Sequence, residues 1–129
     1  MKRMTPKIAK EAIGITDGKL SPCPPLKNCV CSHHKDKFHI APIDYHGDDA
    51  LNKIKEIIAE ELAFEIQVDE KSYLHITHTS DKMKFKDDIE FFWEPDKKVI
   101  HVRSASRLGY WDLGVNRKRV ERIRKALKG

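Results

Sequence analysis

The sequence predicts one α+β domain, in which an antiparallel sheet of about four strands, built from two hairpins, carries two main helices on one face. Apolar residues recur at helical spacing in two well-separated stretches of the chain. Between them, apolar and polar residues alternate in two pairs of segments joined by short turns, as strands of hairpins do. The 129 residues suffice for one domain with one core.

The beginning of the chain is the part with the weakest pattern. Residues 1–20 show no clear hydrophobic period, so we expect an N-terminal arm with one short helix near Ile8 to Ile13, followed by the domain over residues 21–129. From Ser21 to Pro42 the chain is rich in Pro, Cys and His. Its three prolines at positions 22, 24 and 25 predict a loop rather than a helix or a central strand.

The first strong helix is predicted to begin at Asp48 or Asp49, where a carboxylate can accept the free N–H groups of the first turn, and to run to about Ala63. Its apolar stripe consists of Leu51, Ile54, Ile57, Ile58 and Leu62. A first hairpin follows, with strands over residues 64–68 and 73–79 and a turn at residues 69–71.

The second hairpin is better specified. An apolar side alternates along residues 89–93, residues 95–98 make the turn, and residues 99–105 return. An even loop centred between Asp96 and Lys97 fixes the register. The predicted pairs are Trp93 with Ile100, Phe91 with Val102, Ile89 with Ser104 and, on the opposite face, Glu90 with Arg103.

The last helix is predicted to start at Asn116, a residue that is favoured at the N-cap. Val115 before it and Val120 within it have the spacing of a hydrophobic staple. Val120, Ile123 and Leu127 form the stripe that we expect to be buried.

Charge is distributed unevenly along the chain. The formal net charge is +5, and the basic residues crowd into the last quarter, which favours an acidic partner or ligand at a local basic face. Nucleic-acid binding is not expected, because the basic helix face of Arg117, Lys118, Arg122 and Lys125 is short and lacks interleaved aromatic residues. No stretch has the roughly 20 apolar residues of a transmembrane segment, and charges interrupt the N-terminus where a signal peptide needs an apolar run, so we expect a cytoplasmic protein.

The segment from Asp87 to Arg119 concentrates polar and charged residues more than a simple fold requires. Three cations, Arg117, Lys118 and Arg119, lie in the first turn of the last helix, where the helix dipole disfavours each by about 0.3–1 kcal/mol. A negative charge is therefore expected nearby, and it can be internal or external.

In the internal interpretation, structural ion pairs join Glu90 to Arg103 and Asp112 to Arg107 or Arg117, with Asp87 and Asp88 supplying further charge. Networks of paired charges are the commoner arrangement. In the external interpretation, a phosphate or a carboxylate binds at a corner made of Ser104, Ser106, Arg107, Asn116 and Arg117. The sequence thus suggests a non-enzymatic module that binds a small anionic ligand or an acidic partner.

An enzyme is the alternative. Ser104 or Ser106 would then be a nucleophile, or a carboxylate among Asp87, Asp88 and Glu90 a base, as in a hydrolase. The chain contains no nucleophile elbow, P-loop or zinc-protease helix motif, which favours the binding module. The catalytic residues of this alternative remain unassigned, and we expect no cofactor.

Five potential metal ligands lie within twelve residues: Cys23, Cys29, Cys31, His33 and His34. Their spacing lacks the paired knuckles of a structural zinc site, so no metal site is expected. Free thiols in a reducing compartment are the favoured state, and a disulfide between Cys23 and Cys29 is the alternative. The strand histidines His75, His78 and His101 are expected to be surface or half-buried residues rather than ligands.

Three segments carry a resemblance to a known family: CPPLKNCVCS at 23–32, DDIEF at 87–91 and VRSASRLGYWDLGVNRKRVERIRKAL at 102–127. They resemble the bacterial and plant family called domain of unknown function 1499, over about residues 20–128. The resemblance implies that the cysteine loop, the acidic strand and the arginine segment form one structural unit. It also implies that an association with the cell envelope is possible, because many members carry lipid-attachment signals or membrane helices.

Overall fold

A computed structural model of the protein describes residues 13–24, 28–81, 84–107, 112 and 114–128. Within these residues a mostly antiparallel sheet carries two helices, which confirms the α+β class. Neither helix has the length and hydrophobicity that crossing a bilayer requires. The short helix expected near Ile8 to Ile13 lies outside the described residues except for Ile13, which is not helical.

In chain order the elements are β1 (Ile15–Thr16), β2 (Lys19–Leu20), β3 (Cys29–Cys31), β4 (Ile43–Asp44), α1 (Ala50–Ile58), β5 (Phe64–Asp69), β6 (Tyr73–Thr79), β7 (Lys86–Glu94), β8 (Val99–Ser106) and α2 (Val115–Lys128). A 3-10 turn at Pro95–Lys97 joins β7 to β8. The strand order in the sheet is β3-β8-β7-β6-β5, and β4 also pairs with β8. β1 and β2 form a separate small hairpin.

The sheet has six strands rather than about four, because two further strands pair with β8. Cys29 lies opposite Ala105 and Cys31 opposite Arg103, while Ile43 lies opposite Ile100. The expectation of a loop from Ser21 to Pro42 was wrong at β3. The prolines remove backbone donors only at their own positions, so the backbone of β3 is free to complete the ladder.

The two predicted hairpins are confirmed, and so is the register of the second. Trp93 pairs with Ile100, Phe91 with Val102, Ile89 with Ser104 and Glu90 with Arg103. Because side chains alternate across a strand, this register separates the polar residues of β7 and β8 onto two faces.

Helix α1 is shorter than predicted. It ends at Ile58 rather than near Ala63, and Leu62, expected in the apolar stripe, is fully exposed. Tight turns after Ile58 reverse the chain so that β5 can begin at Phe64. The N-cap residue is Asp49, but its carboxylate accepts the hydroxyl proton of Tyr45 at 2.5 Å instead of a helix N–H.

The main core lies between the sheet and both helices. Its buried members include Val30, Ile40, Ile43, Leu51, Ile54, Ile58, Leu74, Ile76, Ile89, Phe91, Ile100, Val102, Val120 and Ile123. The opposite face of the sheet is covered by the N-terminal hairpin, where Leu20 packs with Cys31 and Tyr73. The charged residues in the middle of β7 and β8 are therefore buried on both faces: Asp87, Asp88, Glu90 and Arg103.

Candidate functional site

Six polar residues form a cluster on the helix side of the sheet, here called the Asn116 network: Asp87, Ser104, Ser106, Asp112, Asn116 and Arg119. Asp87 shares the face of Ile89 on β7, since the two are separated by two positions. Asn116 and Arg119 lie three apart on α2 and continue the buried stripe of Val120 and Ile123. Ordinary strand and helix periodicities thus bring the network together.

Asn116 is the centre of this network and is completely buried. Its side-chain oxygen accepts hydrogen bonds from the Ser104 hydroxyl at 2.6 Å and from Arg119 at 2.9 Å. Its side-chain nitrogen lies 2.7 Å from the Asp112 carboxylate and 3.0 Å from both the Ser106 hydroxyl and the Asn28 carbonyl. Asn116 therefore joins α2 to β8 and to the start of β3.

The prediction that Asn116 is the N-cap was wrong. Asn116 lies inside the first turn of α2, and Asp112 caps the helix by accepting the N–H groups of Gly114 at 2.8 Å and of Asn116 at 3.1 Å. The predicted staple is also not formed as expected, because Val115 is 45% exposed. The helix starts earlier because the carboxylate four residues before Asn116 already satisfies its first donors.

Arg119 forms an ion pair with Asp87 at 2.7 Å, and both side chains are buried. The negative charge expected near the first turn of the last helix is therefore internal for Arg119. The carboxylate of Asp112 supplies a second internal negative charge, at the N-terminus of α2.

A second cluster lies on the opposite face of the sheet. Arg107 donates two hydrogen bonds to Asp88, at 2.8 and 3.0 Å, and His75 donates a third at 2.7 Å. Burial alone would raise the pKa of Asp88, but the hydrogen bonds from His75 and Arg107 lower it below its ordinary value. The hydrogen bonds to Asp88 also raise the pKa of Arg107. Asp88 is therefore ionised and paired at neutral pH.

Glu90 is fully buried on this same face. It accepts the hydroxyl proton of Tyr73 at 2.5 Å and the backbone N–H of Gly14 at 2.9 Å. The expected partner Arg103 lies opposite, with a guanidinium nitrogen 3.5 Å from the carboxylate. Burial and the charge of Glu90 raise the pKa of Tyr73 well above its ordinary value. The hydrogen bond from Gly14 to Glu90 joins the start of the N-terminal hairpin to the sheet.

The five residues of the expected anion corner do not converge on one point. Ser104, Ser106 and Asn116 lie in the network on the helix side, while Arg107 is paired with Asp88 across the sheet. Arg117 is exposed on α2 and donates hydrogen bonds to the backbone carbonyls of His39 at 2.9 Å and Lys37 at 3.5 Å. Asp112 forms no ion pair with Arg107 or Arg117 among the described residues.

A cavity of about 260 Å³ lies beside Arg117, at the junction of β3, the following loop and the start of α2. It is lined by Cys29, Val30, Lys37, Phe38, Asp112, Gly114 and Arg117. The Lys37 ammonium lies 5.4 Å from the centre of the Phe38 ring. Two cations, Lys37 and Arg117, line this cavity. Neither forms an ion pair with a carboxylate among the described residues, whereas Arg103, Arg107 and Arg119 do.

The residues proposed for catalysis lie elsewhere. Asp87, Asp88 and Ser106 line neither this cavity nor the second described one, of about 390 Å³, which lies against α1 beside Lys55, Asp69 and Trp93. Asp87 and Asp88 instead complete the buried ion pairs with Arg119 and Arg107.

The cysteine expectation needs correction. Cys23 and Cys29 form a disulfide instead of remaining free thiols, so neither is available as a metal ligand. Cys31 is a free thiol, and burial raises its pKa. The disulfide forms because the strand pairing of β3 holds Cys29 beside the proline-containing segment that carries Cys23, with 5.7 Å between the two Cα atoms.

The two histidines of that segment have different surroundings. The ring of His34 accepts the N–H of Cys23 at 2.7 Å. The ring of His33 stacks on His101 with 3.8 Å between centroids, and burial lowers the pKa of His33 to about 4. Glu94 lies beside His33 and His101 and forms a group of three potential metal ligands with these two residues. Sequence reasoning missed this group, because His33 lies more than 60 residues before Glu94 and is brought beside it by the pairing of β3 with β8.

A comparison with family models gave a match that covers most of the chain. Residues 19–127 match the family described as protein of unknown function (DUF1499), and this range contains both networks, the disulfide and the cavity. Comparisons with curated proteins and with solved structures gave no match. Because the match covers most of the chain, this protein belongs to the DUF1499 family.

Proposed function

We propose that this protein is a non-enzymatic module that binds a small anionic ligand in the cavity between Lys37 and Arg117. One observation carries the proposal. Arg103, Arg107 and Arg119 each pair with a buried carboxylate of β7, whereas the two cations at the cavity pair with no described carboxylate. A cation that has no carboxylate partner and lies beside a concave surface is suited to an external anion.

The lining indicates what kind of anion fits. Cys29, Val30 and Phe38 contribute apolar side chains to the lining, and Lys37 and Arg117 contribute its cations. A guanidinium donates paired hydrogen bonds to a carboxylate or a phosphate, and an ammonium adds a point charge. The volume is below the roughly 300–1,000 Å³ of sites that enclose drug-sized ligands. A small carboxylate or monophosphate therefore fits better than a nucleotide or an acidic protein segment.

Asp112 also lines the cavity and would repel an anion if its charge were free. Its carboxylate accepts two backbone N–H groups at the start of α2 and the side-chain amide of Asn116. These donors offset the charge on the protein side. In this proposal Ser104, Ser106 and Asn116 act indirectly, by fixing the start of α2 and with it the position of Arg117.

Calorimetric titration of the full chain with inorganic phosphate and with short-chain carboxylates tests the proposal. We expect binding to wild type that Arg117→Ala and Lys37→Ala each weaken by about tenfold, which corresponds to loss of one charge-assisted contact. Lys118→Ala is the matched control, because Lys118 is an exposed cation of the same helical turn.

Three results would contradict the proposal. The first is no binding of either anion at millimolar concentration. The second is equal weakening by Lys118→Ala, which would indicate a diffuse basic surface. The third is binding of an acidic peptide or of acidic lipid vesicles through Arg117 with no binding of small anions, which would indicate an acidic partner instead.

A further inference from the structure

We propose that His33, Glu94 and His101 form a binding site for a divalent transition-metal ion of the zinc class. The three side chains each offer one ligand atom, and these atoms all lie within 4.8 Å of one another. The site lies on the face of the sheet that is opposite the helices. It is independent of the anion cavity, which shares none of these residues.

The sheet register brings the three residues together. Glu94 pairs with Val99 and His101 with Phe92, so Glu94 and His101 are diagonal neighbours on one face of β7 and β8. β3 runs beside β8, and the N–H of Ser32 donates to the carbonyl of Val102 at 2.8 Å. This backbone bond places the next residue, His33, over the ring of His101.

Glu94 supplies the observation that points to a cation. Its Oε2 atom is buried and has no hydrogen-bond partner among the described residues, although a buried carboxylate oxygen normally accepts at least one. The neighbouring charges do not replace such a bond. The Lys97 ammonium lies 3.5 Å away but is 73% exposed, and the nearest ring nitrogen of His101 lies 3.7 Å away. A metal ion between Glu94 and the imidazoles would satisfy this oxygen.

The surroundings of His101 orient the ring as a metal ligand requires. Its Nδ1 atom shares a hydrogen bond of 2.8 Å with the hydroxyl of Ser32, and the same hydroxyl oxygen accepts the N–H of Val102 at 2.8 Å. With Nδ1 held in this way, Nε2 is the atom on the side of Glu94. Partners of this kind fix the tautomer and direction of metal-binding histidines in known sites.

Binding requires one change in geometry. The rings of His33 and His101 are nearly parallel, with 20° between their planes, and imidazole lone pairs lie in the ring plane. One ring must therefore turn before both can reach the same ion. His33 can turn, because the final torsion of a histidine side chain has a broad minimum. Among the described residues, its ring accepts one hydrogen bond, from the N–H of Leu20 at 3.1 Å.

The donor set selects the metal. Two imidazoles and a carboxylate suit zinc and its transition-metal neighbours, whereas magnesium and calcium prefer oxygen ligands. Three protein ligands leave one position of a tetrahedral ion open. All three side chains are half-buried, so water or a further ligand can reach that position.

Calorimetric titration of the untagged full chain with zinc chloride, after treatment with a chelator, is the test. We expect one zinc ion per chain with a dissociation constant in the micromolar range or below, and no heat with magnesium. Glu94→Gln keeps the shape of the side chain and should weaken zinc binding by at least about tenfold, as should His101→Ala and His33→Ala. His46→Ala and Cys31→Ser are the controls, which should leave it unchanged.

Circular dichroism of each metal-free variant checks that it is folded, and cobalt substitution gives a spectroscopic count of the ligands. Absence of zinc binding at about 100 µM zinc, a concentration far above a micromolar dissociation constant, would overturn the proposal. So would unchanged binding in Glu94→Gln, or loss of binding in Cys31→Ser with the three ligand variants unaffected. Since Arg117→Ala should not alter zinc binding, this outcome is separate from that of the anion proposal.

Discussion

Asp87 on β7 and Arg119 on α2 form a buried ion pair with 2.7 Å between oxygen and nitrogen. The pair crosses the interface between the sheet and the last helix. It joins the acidic strand to the arginine segment, two of the three segments by which the sequence resembles its family. Removing either charge would leave the other buried without its partner.

Arg119→Met is expected to destabilise the protein by about 3–5 kcal/mol, the usual effect of breaking a buried ion pair from one side. Equilibrium unfolding in urea measures this. The double variant Asp87→Leu with Arg119→Met should be more stable than Arg119→Met alone, because it leaves no unpaired charge. Equal stabilities of the single and the double variant would show that the packing of Arg119, and not the pair, carries the effect.

Asn116→Ala should cost more than the loss of a helix cap. A cap substitution costs about 0.5–2 kcal/mol. This change instead removes the hydrogen bonds that Ser104 and Arg119 donate to Asn116 and the one that Ser106 accepts from it. Each buried group that is left without a partner costs about 1–3 kcal/mol. We therefore expect at least about 3 kcal/mol in the same unfolding assay. Asn52→Ala, on the exposed side of α1, should change the stability by less than about 0.5 kcal/mol. A value for Asn116→Ala within the cap range would contradict the network.

The pairing of Asp88 predicts a pH dependence. Its folded-state pKa lies below the unfolded-state value of about 3.9. The stability that its charge contributes is therefore present above about pH 4 and is lost as the pH falls through the folded-state pKa. The free energy of unfolding of wild type minus that of Asp88→Asn should be near 1–3 kcal/mol at about pH 5 and should shrink below about pH 4. Arg107 is a third exposed, which favours the lower end.

Asp96→Asn is the control for the pH experiment, because Asp96 lies in the exposed turn between β7 and β8. Its difference from wild type should stay within about 0.5 kcal/mol over the same range. A wild-type advantage over Asp88→Asn that grew on acidification would have the opposite sign to this prediction and would show that Asp88 is not held in its charged form.

Local periodicity was enough to predict the second hairpin, including the opposition of Glu90 and Arg103, because strand alternation and loop length determine register without long-range information. The burial of Arg119 could also have been predicted from the sequence. Asn116, Arg119 and Val120 have the spacing of one helix face, but the predicted buried stripe began at Val120 and left Asn116 at the N-cap. Helical spacing is the signal that would have placed them inside.

Other features depend on contacts between distant segments. β3 pairs with β8 across more than 70 residues, and no local pattern in a proline-containing segment indicates that pairing. The group of His33, Glu94 and His101 depends on the same pairing, and so does the meeting of Lys37 with Arg117 at the cavity. The residues were visible in the sequence, but their association required the fold.

The disulfide between Cys23 and Cys29 predicts both a thiol count and a change in stability. Unreduced protein should take up one equivalent of a thiol reagent after denaturation, at Cys31, and almost none while folded, because Cys31 is fully buried. Mass spectrometry of the alkylated protein measures this. Closing a loop with a sequence separation of 6 restricts the unfolded chain, so Cys23→Ala with Cys29→Ala should cost about 2 kcal/mol. Cys31→Ala, which leaves the loop closed, is the matched control, and it should abolish labelling of the denatured protein. Three labelled thiols in unreduced, denatured wild type would show that Cys23 and Cys29 are not bonded in solution.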